Sequence, residues 1–322
     1  MNDLRACFDR EIPGINAFLA AEADSLDGLV RDVARHVLLS GGKRIRPVLT
    51  ILFARALGHA ADDVLPIACA LEMLHTATLL HDDVLDAALT RRGKVSAHVA
   101  FGTTETILAG DVLLARANKL GAEYDIPRLN ALLAFGTMST AEGEILELAH
   151  TARPTPDRNA YMDIIIGKTA RLIETACRCG AALATRDRAC EDIAGDFGLN
   201  VGIAFQLVDD ALDYSVSADE LGKPAGGDLR EGKITLPLIL FLESLPQTEA
   251  AALLADLREK RLTGEQAGGI VARVREQGLA ERTREAAAGY VAAARKELEK
   301  LPACPEREVL AQAAEYVLVR RK

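Results

Sequence analysis

Apolar residues recur along this chain at three- and four-residue spacings almost from end to end. That periodicity predicts helices at roughly 3–22, 25–40, 46–57, 62–88, 104–122, 128–149, 157–184, 188–214 and 234–244, then shorter helices to the end. No run of strict alternation suggests a strand. The breaks carry Gly and Pro, as in "SGGKRIRP", "TARPTP", "LGKPAGGDLREGK" and "LPACPE". Residues 1–240 read as one bundle and 246–322 as a more charged helical part rich in Ala, Glu and Arg, with no site-like cluster of its own. With no low-complexity linker between them, the expectation is a single domain over 1–322, its charged C-terminal part spanning 245–322.

Composition narrows the class. The chain is 49% hydrophobic but only 4% aromatic and lacks Trp, which favours helices packed closely on Ala and Leu, and an all-α fold. A net charge of −9 argues against a nucleic-acid surface, so an anionic ligand has to be caught by a local cluster. Cys7, Cys69, Cys177, Cys179, Cys190 and Cys304 form neither a CxxC pair nor a zinc spacing, and "MNDLRACFDR" lacks the layout of a signal peptide. A reduced, cytoplasmic protein is expected. The stretch "LPIACALEMLHTATLL" is broken by Glu72 and His75 and reads as too short to span a bilayer, so no transmembrane segment is expected, which leaves room for greasy ligands.

One acidic pattern occurs twice: Asp82-Asp83-Val84-Leu85-Asp86 and Asp209-Asp210-Ala211-Leu212-Asp213. The outer carboxylates of each copy are four residues apart, hence on one helix face. Two such helices facing one another would surround a cavity with six carboxylates, a costly arrangement unless they are solvated or hold hard cations. Mg²⁺ suits them, because it takes oxygen ligands and leaves positions for substrate phosphates. The chain also supplies phosphate-binding cations at its breaks: Lys43 and Arg46 beside a glycine pair at a helix start, Arg91 and Arg92 after the first acidic motif, Lys168 with Thr169, and Lys223 with Lys233. On a helix, His75 lies only about 20° from Asp82 in direction and should look into the same cavity, whereas His81 points away.

The motifs "GGKRIRP", "LEMLHTATLLHDDVLD", "RRG", "AEGEILEL", "GKTARL", "FQLVDDALDY" and "LGKPAGGDLREGKITLP", in that order, resemble the trans-isoprenyl (polyprenyl) diphosphate synthase family over nearly the whole chain. The resemblance implies mostly antiparallel helices around a deep central cavity, usually a homodimer, with three Mg²⁺ ions and two diphosphate substrates. It assigns Lys43, Arg46, His75 and Arg92 to isopentenyl diphosphate, and Arg91, Lys168, Thr169, Gln206 and Lys223 to the allylic diphosphate. Asp82 and Asp86 would bind two ions and Asp209 the third, with Asp83, Asp210 and Asp213 assisting directly or through water. The catalytic set is then Asp82, Asp86, Arg91, Lys168, Gln206, Asp209 and Lys223. One departure is visible: "GGDL" stands where many long-chain members read GDDL, leaving only Asp228.

The residue types suit this chemistry. Breaking an allylic C–O bond leaves a carbocation and a diphosphate, so cations lower the barrier and no protein nucleophile is needed; the resemblance suggests that the departing diphosphate takes the final proton. A class I terpene cyclase would need neither the second intact acidic motif nor the Lys43/Arg46/His75 pocket. A di-iron bundle would use Glu72/His75 and Glu147/His150, but would leave both acidic motifs unexplained. A non-catalytic subunit would be expected to have lost a motif. Leu74, Ala77 and Thr78, one to two turns before Asp82, are expected to line the path of the growing product. Lacking a bulky aromatic plug, they favour about 30 to 50 carbons, as in octaprenyl diphosphate synthases, over a farnesyl or geranylgeranyl product, at roughly one five-carbon unit per helical turn. Leu132, Leu133, Phe135 and Met138 are candidates for the floor.

Overall fold

The computed structural model describes residues 2–59, 63–215 and 226–320, and the protein is all-α as the periodicity predicts. The helices are α1 (Asn2–Asp24), α2 (Gly28–Leu38), α3 (Ile45–Ala56), α4 (Val64–Leu85), α5 (Ala97–Phe101), α6 (Thr103–Ala122), α7 (Pro127–Ala152), α8 (Arg158–Ile165), α9 (Arg171–Ala184), α10 (Arg188–Ser215), α11 (Gly227–Glu231), α12 (Leu236–Ser244), α13 (Gln247–Arg258), α14 (Gly264–Glu276), α15 (Leu279–Leu298) and α16 (Pro305–Val319). A two-stranded ribbon, β1 (Thr90–Arg91) and β2 (Lys94–Val95), lies between α4 and α5, and a π-helical turn, Ile166–Ala170, joins α8 to α9. Neither was expected. The strands are too short for a period of two to register, and a change of hydrogen-bond phase leaves the apolar pattern helical.

The chain forms two interleaved compact units, the first built from Met1–Met138, Leu172–Gly198 and Glu297–Gln312. Its central helix is α4, packed against α3 and α6. Ile67, Leu71, Leu74 and Ala77 are all fully buried, because a helix apolar on every side has to be enclosed by others. At 22 residues α4 is long and apolar enough to cross a bilayer by those measures, more than the sequence reading allowed, but 67% of its most apolar window is buried inside the protein. It is therefore a core helix. Its first turn is satisfied by Tyr124, whose hydroxyl accepts from the Ile67 amide at 3.1 Å and donates to the Asp63 carbonyl. Helix α9 lies against α3, with the Thr50 hydroxyl donating to the Ala176 carbonyl at 3.0 Å.

The second unit comprises Ser139–Arg171, Leu199–Lys296 and Ala313–Lys322. Its closest backbone approach is between α7 and the π-turn: a Cβ on Gly143 would lie 2.1 Å from the Lys168 nitrogen, so only glycine fits. Helix α12 is buried from Pro237 to Leu242, and a capping box closes the start of α14, where Thr263 accepts from the Gln266 amide at 3.2 Å and the Gln266 side chain accepts from the Thr263 amide at 2.8 Å. An Arg295–Glu315 ion pair at 2.6 Å ties α15 to α16. Far from short, α15 runs for 20 residues.

Candidate active site

In the first unit the cationic residues meet around the glycine pair. Arg92 and Gly93 are both left-handed, with φ of 51° and 75°, as the two-residue turn of this ribbon requires. The Arg92 guanidinium donates to the Gly41 carbonyl and lies where a Cβ on Gly42 would be, 2.8 Å from one of its nitrogens. Arg44 is buried and structural, paired with Glu72 at 2.7 Å and bonded to Asn16 at 3.1 Å. Arg46, two residues on, keeps a buried Nε with no hydrogen-bond partner, and burial lowers its pKa to about 10. Burial, followed by the charges of Arg46, Arg92, Arg91 and Arg44, holds His75 well below the usual histidine range. These arginines form one positive cluster with a neutral imidazole among them. Lys43 is exposed beside it, and His81 is turned to the Ile107 carbonyl at 3.1 Å.

The three aspartates at the end of α4 are not equivalent. Asp83 is buried and receives the Arg91 guanidinium; these two, with Arg92, Thr76 and Ser96, line a cavity of about 30 Å³. Asp82 is half-buried, and Asp86, one turn on, is exposed as the last residue of the helix end. Leu74 and Ala77 are fully buried, and half-buried Thr78 donates to the His75 carbonyl at 2.8 Å. Of the floor candidates, Leu132 and Leu133 are buried, Phe135 is half-buried and Met138 is exposed.

The second unit gathers Lys168, Thr169, Gln206 and Asp210 around a cavity of about 130 Å³, together with Glu147, Tyr161, Asp228 and Lys233. Hydrogen bonds fix the orientation: Thr169 donates to the Gln206 carbonyl oxygen at 3.1 Å, the Gln206 amide donates to Asp210 at 2.8 Å, and the Tyr161 hydroxyl donates to the other Asp210 oxygen at 2.6 Å. Burial raises Asp210 to about 7 against these two bonds, with Asp209 and Glu147 adding to the rise. Burial also raises Asp228, helped by Asp210 and Asp213. Lys168 pairs with Glu144 at 2.7 Å and with Glu147; burial works against its charge, but the glutamates more than offset it, and the same holds for Lys233 with Glu147 and Glu231.

Asp213 is engaged elsewhere: its two oxygens accept from the Gly227 and Asp228 amides at 3.0 and 3.1 Å, fastening the start of α11. Asp209 receives Arg320 at 2.9 Å. Lys223 lies outside the described residues. The di-iron alternative fails on its glutamates, since Glu72 is neutralised by Arg44 and Glu147 by Lys168.

The polyprenyl synthetase family model matches residues 27–268, taking in both aspartate motifs and both cation clusters. The chain belongs to the polyprenyl synthetase family. It is 39% identical to octaprenyl diphosphate synthase of Escherichia coli (strain K12) over 239 residues, 74% of this chain and 73% of that protein. It is 36% identical to the geranyl-diphosphate-specific all-trans-nonaprenyl-diphosphate synthase of Rhodobacter capsulatus over 321 residues, 99% of this chain and 97% of that protein. Among solved structures it is similar to a polyprenyl synthase from Caulobacter crescentus CB15 complexed with calcium and isoprenyl diphosphate, with a TM-score of 0.93 and 36% identity, covering 100% of this chain and 98% of that one. The fold is that of the isoprenoid synthases, and the chain is a prenyltransferase, a trans-polyprenyl diphosphate synthase that joins isopentenyl diphosphate to an allylic diphosphate.

Several site residues escaped sequence reasoning. Glu144 and Glu147 lie in the quoted "AEGEILEL", yet only their distance from Lys168 reveals a role. Tyr161 carries no motif, and Arg320 sits in a basic tail that reads as solvated. Lys233 and Asp228 were visible as loop residues without an assigned partner.

The arginine cluster makes a titration prediction. Since His75 is depressed, the unfolded chain takes up its proton first: stability is undiminished above the ordinary histidine value of about 6.5 and falls as the pH drops below it. NMR of the His75 ring is expected to show a midpoint well below that of an exposed histidine, rising when inorganic diphosphate is added. An ordinary midpoint, unmoved by diphosphate, would disprove the cluster.

Proposed function

We propose that this prenyltransferase makes a long all-trans polyprenyl diphosphate of about 30 to 50 carbons, roughly one helical turn of wall per five-carbon unit, with Mg²⁺ as its cofactor, three ions in the loaded state. The observation that carries the reading is a positive cluster short of an anion: Arg46 with its unpartnered buried Nε, among arginines that hold His75 neutral. A second cationic site, with Lys168 and Lys233, stands beside the other aspartate motif, matching a reaction that takes two diphosphates. A terpene cyclase binds only one.

The donor set fits a hard divalent cation. Asp82 and Asp86 offer carboxylate oxygens one turn apart, and at Asp209 a guanidinium already occupies a cation's place. Carboxylates set in this way suit Mg²⁺, whose shell water and substrate phosphates complete. The calcium in the Caulobacter relative also supports a divalent ion. Asp82, Asp86 and Asp209 would be the principal ligands, and Asp83, Asp210 and Asp213 would act from behind them. Bound Mg²⁺ supplies Lewis-acid stabilisation of the leaving diphosphate.

The chain's own groups do the rest. Lys168 and Arg91, with Lys223 by resemblance, neutralise the allylic diphosphate, while Thr169 and Gln206 orient it. Lys43, Arg46 and Arg92 hold isopentenyl diphosphate, and neutral His75 contributes a hydrogen bond without charge. Leu74, Ala77 and Thr78 border the growing chain. The enzyme acts as one functional domain in the cytoplasm, with transient membrane contact releasing a product this greasy.

A homodimer is supported by α7, where exposed Met138, Ile145 and Leu148 fall within about 80° of one face. Light scattering is expected to give twice the chain mass.

For the chemistry, Asp82→Ala removes a metal ligand at the charge-separating step, so turnover of isopentenyl diphosphate with an allylic starter is expected to fall about 10³-fold, some 4 kcal/mol of barrier. Turnover close to wild type would remove Asp82 from the site. For product length, Ala77→Phe places a plug one to two turns from Asp82, and chromatography of the dephosphorylated products is expected to show shorter chains. A wild-type product of 15 carbons, or an unchanged distribution in the variant, would refute the route past Ala77.

A further inference from the structure

The arginine that holds Asp209 has no role of its own in the reading so far. Arg320 directly follows α16, yet its side chain is only 5% exposed, whereas exposed Val319 beside it faces solvent. Its guanidinium donates to Asp209 at 2.9 Å and lies 4.0 Å over the ring of Phe205. Phe205 and Asp209 are four residues apart on α10, so one face of that helix offers an aromatic surface and a carboxylate to a single cation. The Arg295–Glu315 pair fastens α16 five residues before this contact. An arginine taken out of water in this way needs its carboxylate, and a divalent ion on the same carboxylate would sit against a like charge.

We propose that Arg320 is the resident cation of Asp209, so that a divalent ion reaches this aspartate only by displacing the Arg320 guanidinium. The proposal rests on the reading of Asp209 as a metal ligand. It makes Arg320 a positioning residue of the second aspartate motif: the pair holds the carboxylate ordered and neutralised while the site is empty of metal. If the pair is closed in nine-tenths of molecules, the apparent affinity for the ion is lowered about tenfold.

The test is a titration of the full-length protein with Mn²⁺ alone, the free ion followed by electron paramagnetic resonance, with circular dichroism confirming the fold of each variant. Arg320→Gln is expected to bind Mn²⁺ at one site about tenfold more tightly than wild type, and Arg320→Met to do the same should the glutamine fail to fold. Arg320→Lys, which keeps the charge, is expected to stay near wild type, and the gain is expected to vanish in Arg320→Gln/Asp209→Asn. Unchanged or weaker Mn²⁺ binding in folded Arg320→Gln and Arg320→Met, with Asp82→Asn still reducing binding, would overturn the exchange while leaving the metal reading intact. Absence of Mn²⁺ binding in every variant would overturn both.

Discussion

A charge removed from water has to find an opposite charge, collect hydrogen bonds or change its protonation, since leaving it bare costs several kcal/mol. Most of the buried charges in both clusters can be understood from that constraint. Asp83 finds Arg91, Glu72 finds Arg44, Lys168 finds Glu144 and Glu147, and Asp209 finds Arg320. Where burial outweighs the charges and hydrogen bonds nearby, as at Asp210 and Asp228, the carboxyls are driven toward the protonated form. Where cations crowd together, His75 gives up its charge. Lys168, Asp83 and Asp209 are thus held by internal partners, whereas Arg46 keeps a buried nitrogen without one.

Small residues make those pairings reachable. Lys168 stands beside two glutamates of α7 because Gly143 lets the π-turn approach, and Arg92 crosses to the Gly41 carbonyl because Gly42 has no side chain in its way. Backbone shape and electrostatics are therefore one design here.

The helices were legible because long amphipathic and apolar segments announce their period: 128–149 was expected where Pro127–Ala152 stands, and 62–88 where Val64–Leu85 stands. The spacing of Asp82 and Asp86 was legible for the same reason, since a helix turn fixes it. What the pattern could not convey was which acid is spoken for. Asp213 looks like its neighbours in sequence, but its oxygens are committed to two backbone amides. Arg44 and Arg46 share one motif, yet one closes a buried pair and the other keeps an unpartnered nitrogen. Such distinctions arise from contacts between segments far apart in the chain, as with Arg320 and Asp209, and a local reading has no access to them.

The π-turn at Ile166–Ala170 carries a different consequence. A helix that bonds five residues back holds one residue more than an α-helix closing the same gap. Deleting a single residue there would give a more regular helix with better-aligned hydrogen bonds over the same gap, but would remove the bulge that carries Lys168 and Thr169. Length in this segment is therefore constrained as well as identity: Gly167 lies against the backbone of Gly143, and an insertion or deletion would move Lys168 and Thr169 out of register with their partners.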